Sequence, residues 1–429
     1  MNKLLVILYV VCYNQIIKQK VIKVNCFSYF LMRNKGENMQ YCAVICELNP
    51  LHYGHEYIFR RAREISGCDK VIALMSGDFV QRAIPAYADE YVRAFCALMC
   101  GADAVIELPA IYATASGERF AYGAVNILNT INNVTALVMG TEIDDADIIT
   151  HIAKLQAFES ESFKNGLKNY LSEGLSYAKA LTRVSAEESG CDTEKIYGVL
   201  TKPNNILAVA YAKALLQTNS KIRFMPVKRI GGDISDEMRG KYSSASAIRV
   251  CNDPAAIAKA MPDVSFAAYS DAIASHRVRY GELGTLIMHT LRTTDTEKLA
   301  SVADCAEGFE YKLRSLAEKI SDYDEMIRSA VTARFTRSRI MRICLHALLG
   351  ITRDMQYDGY AFARLIGIRN DAAEMLSRMP ESIIVNKAGE KHIPEKYLPH
   401  YLTDKRAAEI YSLITRTDGN PFYRKLLRV

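Results

Sequence analysis

Residues 41–66, YCAVICELNPLHYGHEYIFRRAREIS, decide the fold. The run Tyr41 to Cys46 is apolar and rich in Val and Ile, the pattern of a buried strand, and Asn49-Pro50 ends it with a turn. A helix is expected from about Gly54, carrying Arg60, Arg61 and Arg63 on its more polar side. Between strand and helix stand His52 and His55, spaced HxGH. Two imidazoles at a helix start can donate N–H bonds to an anion, and first-turn backbone amides add partial positive charge directed the same way. Gly54 lacks the Cβ that would hold a ligand off the backbone. Two histidines three apart also occur by chance; their place after a strand is what favours a phosphate site.

Working outward, Lys70 to Met75 reads as a second strand, Ala104 to Leu108 as a third and Ala136 to Met139 as a fourth. Helical patterns over Ala88 to Cys100 and Gly117 to Ile131 separate them. Strands joined through helices imply crossovers, hence a parallel sheet covered on both faces, with ligands at the carboxyl ends of the strands. The residues expected at that edge are Asn49, His52 and His55; Ser76, Gly77 and Arg82; Glu107 and Pro109; and Gly140, Thr141 and Glu142.

From Asp144 to about Leu216 the pattern turns helical, interrupted by Lys202-Pro203-Asn204-Asn205, whose amides can donate and accept or simply cap a helix. A further strand, Ile222 to Val227, leads to Lys228-Arg229-Ile230-Gly231-Gly232. Tyr242-Ser-Ser-Ala-Ser-Ala-Ile-Arg249 offers Ser243 and Ser244 at a helix start and Arg249 a turn later, either a polyanion site or an ordinary cap. Residues 251–429 read as mainly helical with no further strand-helix alternation. There Ala333 to Arg353 carries arginines 334, 337, 339, 342 and 353 and no acid, with Ile340, Ile343, Cys344, Ala347 and Leu348 as an apolar stripe. Arg339 and Arg342 fall off that stripe and are expected to face outward. A basic helix without compensating acids fits an RNA backbone as well as a solvated face. Tyr357, Tyr360 and Phe362 are candidates for base stacking or for the core.

At 429 residues, half of them apolar, the chain can fill two or three domains. A formal charge of +6 permits a nucleic-acid partner without requiring one. Eleven cysteines lie scattered, with no CxxC and no zinc-finger spacing, which reads as reduced cytosolic thiols and no structural metal. The first 38 residues look foreign to the rest. Leu4 to Cys12 behind Lys3 is too short to span a bilayer and no small-residue cleavage site follows, so translation from Met39 is the expectation, with a membrane anchor or secretion signal as the alternative.

HxGH after a first strand resembles the HIGH-type nucleotidyltransferase superfamily, and SSASAIR looks like its second signature. ELNPLHYGH, MSGDFVQRAIPA, ADAVIELP, KPNNIL, KRI at 228–230 and ARFTRSRIMR together resemble, in order, the bacterial tRNA(Met) cytidine acetate ligase family. The resemblance implies an α/β fold: a Rossmann-like parallel-sheet nucleotidyltransferase domain over 39–250, followed by a mainly α-helical, tRNA-binding region over 251–429, in a cytoplasmic enzyme. It implies that ATP, carrying Mg2+, and acetate give acetyl-adenylate, and that the wobble cytidine of elongator tRNA(Met) takes the acetyl group on N4. His52 and His55 would be catalytic. ATP contacts would come from Ile45, Cys46, Glu47, Leu48, Asn49, Pro50, Leu51, His52, Tyr53, Gly54, His55, Glu56, Tyr57 and Ile58, with Gly140, Asn204, Arg229 and Ile230. Ser243, Ser244 and Arg249 are added as phosphate contacts, and Arg337, Arg339 and Arg342 as tRNA contacts. This chain departs from the family pattern at Leu51 and Tyr53, and at Arg82-Ala-Ile-Pro-Ala86, where RGEPA is usual. Rival readings are an adenylyl- or cytidylyltransferase acting on a small phosphorylated metabolite, and a non-catalytic nucleotide-sensing RNA-binding protein.

Overall fold

A computed structural model describes residues 39–231, 236–275, 280–417 and 421–429. The N-terminal stretch 1–38 and Gly232 lie outside the described residues. Residues 40–429 form one compact unit.

The opening segment folds as strand, loop and helix. β1 is Tyr41–Cys46 and α1 is Tyr53–Ser66. α1 buries Phe59 and Ala62, leaves Arg60 and Arg63 exposed, and ends at Gly67, whose φ of 67° a side chain would disfavour. The chain continues through β2 Lys70–Ser76, β3 Phe79–Val80, β4 Ile84–Pro85, α2 Glu90–Met99, β5 Ala104–Leu108, α3 Gly117–Thr130 and β6 Val134–Thr141. α4 Ala146–Ala157, α5 Pro203–Gln217 and β7 Arg223–Lys228 follow. All five residues of β5 are buried, as a strand covered on both faces requires.

Strands β5-β2-β1-β6-β7 are neighbours in that order and all parallel. The order reverses direction between β1 and β6, the position where open α/β sheets take ligands. Pairing of β1 with β6 ends at Ala43 and Leu137. Beyond that point Val44, Ile45 and Cys46 stay with β2, while Val138 to Thr141 stay with β7. A crevice opens between them.

The C-terminal region is mainly helical, as expected, and adds three short strands that the sequence reading did not place. β8 Ala363–Ile368 runs antiparallel to β5, and β9 Ile383–Ile384 and β10 Leu427–Arg428 pair with β8. The charge of Arg364 masks the strand in the sequence; in the fold its guanidinium is buried between Glu90, at 2.8 Å, and Glu107, at 2.6 Å. Asp404, on the helix Leu398–Thr415, accepts the N–H of Ala110 at 2.6 Å. These buried bonds fasten the C-terminal region to the sheet. Among the described residues no helix is long and apolar enough to cross a membrane.

Candidate active site

A cavity of about 860 Å³ fills the crevice, between the carboxyl ends of β1 and β6, the start of α1, α5, Arg229 and Ile230, and residues of the stretch 237–249. That volume is typical of a small-molecule site.

The histidines are held by the backbone of their own turn. His52 caps α1 in an extended conformation, and its Nδ1 accepts the N–H of Gly54 at 3.0 Å. The His52 N–H donates to Nδ1 of His55 at 3.2 Å, and the two ring centroids are 4.0 Å apart. With each Nδ1 accepting, the ring hydrogen of each imidazole sits on Nε2. Burial, then His55, Arg229 and Arg249, lowers the His52 pKa well below the usual histidine value. Burial and then Arg229 push His55 down to about 3. Both rings are therefore neutral Nε2–H donors at pH 7.

Two expectations change here. The amides of His52 and Gly54 are spent on the imidazoles rather than left for an anion. Gly54 is needed for the His52 ring itself: a Cβ there would lie 2.7 Å from its Cε1.

The loop before the histidines is clamped from distant parts of the chain. The Tyr269 hydroxyl donates to the Leu48 carbonyl at 2.8 Å and accepts the Leu51 N–H at 3.3 Å. Asn49 Oδ1 accepts from the Tyr87 N–H at 2.7 Å, and Arg249 donates to the Asn49 carbonyl at 2.6 Å. Arg93 is wholly buried and donates to the carbonyls of Glu47, Ser76, Gly77 and Ala88. It ties the carboxyl ends of β1 and β2 together. Arg93 and Tyr269 escaped the sequence reading; the available signal was a pair of charged residues, Glu90 and Arg93, on the buried face of α2.

Of the expected ATP contacts, Ile45, Cys46, Glu47, Leu48, Asn49, His52, Gly54, His55, Tyr57 and Ile58 line the cavity, as do Gly140, Asn204, Arg229 and Ile230. Pro50, Leu51, Tyr53 and Glu56 do not; Leu51 is core, and Tyr53 packs under the Lys241 ammonium, 4.5 Å from its ring centre. Gly140 allows a close approach, since a Cβ there would stand 3.1 Å from Ile58 and 3.2 Å from Arg229. Asn204 Nδ2 donates to Glu142 at 2.6 Å, and its Oδ1 accepts from Arg229 at 3.2 Å. The neighbouring Asn205 is buried, its Oδ1 accepting from the Glu142 N–H at 3.0 Å. Ser243, Ser244 and Arg249 also line the cavity. Ser243 Oγ already donates to the Gly240 carbonyl and accepts the Arg239 N–H, and Ser244 caps the short helix Ala245–Val250.

The basic helix, Arg337–Leu349, differs from its expectation. Arg342 does not face outward: its side chain is 15% exposed and meets Asp304 at 2.6 Å. Arg339 donates to the Asp304 carbonyl and lies over the Phe335 ring at 4.1 Å. Arg337 pairs with Asp324 at 2.9 Å. The acids missing from the local sequence arrive from elsewhere in the fold. Arg342 and Ser338 reach the cavity wall. Tyr360 is core and Phe362 packs half-buried, whereas Tyr357 is exposed with the Arg119 guanidinium 3.9 Å from its ring centre.

The HIGH Nucleotidyl Transferase family model matches residues 39–422. A tRNA(Met) cytidine acetate ligase of Clostridium perfringens strain SM101 is 32% identical over 392 residues, covering 88% of this chain and 96% of the relative. The chain belongs to the tRNA(Met) cytidine acetate ligase family. A second family member, from Acetivibrio thermocellus, is 35% identical over 357 residues, 80% of this chain and 86% of that one. Among solved structures, apo Thermotoga maritima TmcAL superposes with a TM-score of 0.85 at 28% identity, covering 91% of this chain and all of that one. The same protein bound with alpha-thio ATP gives 0.83 at 27% identity.

Proposed function

We propose that this chain is an ATP-dependent ligase that joins acetate to AMP and passes the acetyl group to N4 of the wobble cytidine of elongator tRNA(Met). The observation that carries the reading is the pair of neutral imidazoles that line the crevice with each Nδ1 engaged by backbone, which leaves the Nε2–H of each for a ligand. An acetate oxygen attacks the α-phosphorus and pyrophosphate leaves, so negative charge gathers on the α-phosphoryl oxygens. Two preorganised donors stabilise that charge without surrendering a proton. Arg229, positioned by Asn204, supplies the full positive charge beside them. Among the described residues no group of three or more His, Cys, Asp or Glu side chains is placed to hold a metal, so Mg2+ would arrive on the triphosphate.

The tRNA reading rests on continuity. Arg342 and Ser338 bring the start of the basic helix to the cavity wall, and the exposed Tyr357 under Arg119 offers a face on which an unpaired base can stack. Incubation with ATP, labelled acetate and tRNA(Met), followed by nucleoside mass spectrometry, should show labelled N4-acetylcytidine, with AMP and pyrophosphate formed. Transfer of AMP onto a small phosphate without any need for acetate would support the rival enzyme, and binding of both ligands without turnover would support a sensor.

A further inference from the structure

The second step of the proposed reaction needs a proton acceptor that the histidines cannot supply. When the cytidine N4 amine attacks the acetyl carbon, an N–C bond forms, the acyl C–O bond to phosphate breaks and AMP departs with that electron pair. One N4 proton must then leave. The lone pair of each Nδ1 already accepts a backbone N–H, and each Nε2 carries its own hydrogen. Neither imidazole has a free site for a proton.

Three carboxylates line the cavity among the described residues: Glu47, Glu118 and Glu237. Glu118 is drawn away by Lys213, 2.9 Å from it, and Glu237 is exposed. Glu47 follows directly on β1 at the crevice, is half-buried, and has no ion pair shorter than 4 Å among the described residues. One oxygen, Oε1, accepts the Gln81 N–H at 2.9 Å, which fixes the carboxylate. The other, Oε2, has no partner among the described residues. We propose that Glu47 is the general base of acetyl transfer, its Oε2 taking the N4 proton as AMP leaves. The inference rests on the proposed ligase function.

The charge environment suits the role. Burial raises the Glu47 pKa, while the Gln81 N–H and then Arg249, Arg82 and Arg93 pull it back. A carboxylate made more basic by burial is a better proton acceptor than a solvated one. No such group is needed in the first step, because acetate is already ionised.

The test uses the full chain and separates the steps: acetate-dependent exchange of pyrophosphate into ATP for the first, single-turnover acetylation of tRNA(Met) for the second. Glu47→Gln keeps an oxygen to accept from Gln81 but cannot take the proton. It should slow transfer about 100-fold or more, and at least about tenfold more than it slows pyrophosphate exchange, which also registers the place of Glu47 in the cavity wall. The rise of the transfer rate with pH should vanish in Glu47→Gln and persist in Glu47→Asp. Equal losses in both steps, or transfer with its pH dependence intact in Glu47→Gln, would overturn the assignment. Wild-type exchange in the same assay reports separately on the ligase function.

Discussion

The HxGH turn and the basic helix are both concentrations of nitrogen donors, and they are built in opposite ways. At the turn, bonding partners stand two and three residues apart, Gly54 with His52 and His52 with His55. Along the helix, the partner of Arg337 lies 13 residues away and that of Arg342 lies 38 away. Spacing in the sequence therefore encodes the geometry of the first and conceals that of the second. A window of like charge says little about exposure when the fold can import the opposite charge from a distance.

The comparison can be broken most sharply at the turn. Asparagine can still cap a helix, so His52→Asn and His55→Asn preserve much of the turn while removing an Nε2–H. Each should reduce acetate-dependent pyrophosphate exchange about 100- to 1,000-fold, the loss typical of one preorganised donor. Rates within tenfold of wild type would make the imidazoles structural only.

A second test concerns the non-local charges that join the C-terminal region to the sheet. Burial raises Asp78 to about 8 and Glu90, Glu107 and Asp404 each to about 7. Around them stand Arg364 and Arg93, with Asp89 adding further negative charge at Asp78. These carboxyls hold protons in the folded state that the unfolded chain has already released by pH 6.5. Stability should thus fall as pH rises through 7 to 8, read from denaturant midpoints. Asp78→Asn should flatten that decline. Stability that climbs over the same interval would contradict the buried, protonated cluster.

The third sharpens the contrast within the helix itself. Arg342→Ala strips Asp304 of a largely buried partner and should lower folding stability by about 1–2 kcal/mol, whereas Arg337→Ala, removing an exposed pair, should change it by less than about 0.5 kcal/mol. Equal effects in thermal denaturation would erase the distinction. The smallest effect belongs to a local feature. Ala83 is buried at φ 56°, a left-handed backbone conformation that glycine adopts without strain. Ala83→Gly should stabilise by about 0.5–1 kcal/mol, and a loss of stability would show that the methyl's packing outweighs the strain.

What the sequence disclosed follows the same division. The five parallel strands and the helices between them are set by apolar runs and punctuation of short range, so β5 and the start of α3 fall at the expected residues. Of the residues that alternation placed at the ligand edge, Asn49, His52, His55, Arg82 and Gly140 line the cavity, whereas Ser76, Gly77, Glu107, Pro109, Thr141 and Glu142 do not. β8 was hidden because Arg364, its second residue, reads as polar until Glu90 and Glu107 are brought to it. Tyr269 and Arg93 were hidden because they act through backbone carbonyls 221 and 46 residues away, Leu48 and Glu47, a relation with no local pattern.

The most direct measurement is a long-range proton–nitrogen correlation spectrum of the chain with labelled histidines, assigned with His52→Asn and His55→Asn. Both rings should appear as neutral Nε2–H tautomers from pH 6 to 8, and ATP should shift their Nε2–H signals. Imidazolium signals from either ring at pH 7, or Nε2–H signals that ATP leaves unmoved, would contradict the proposal that these two rings grip the α-phosphate as neutral donors.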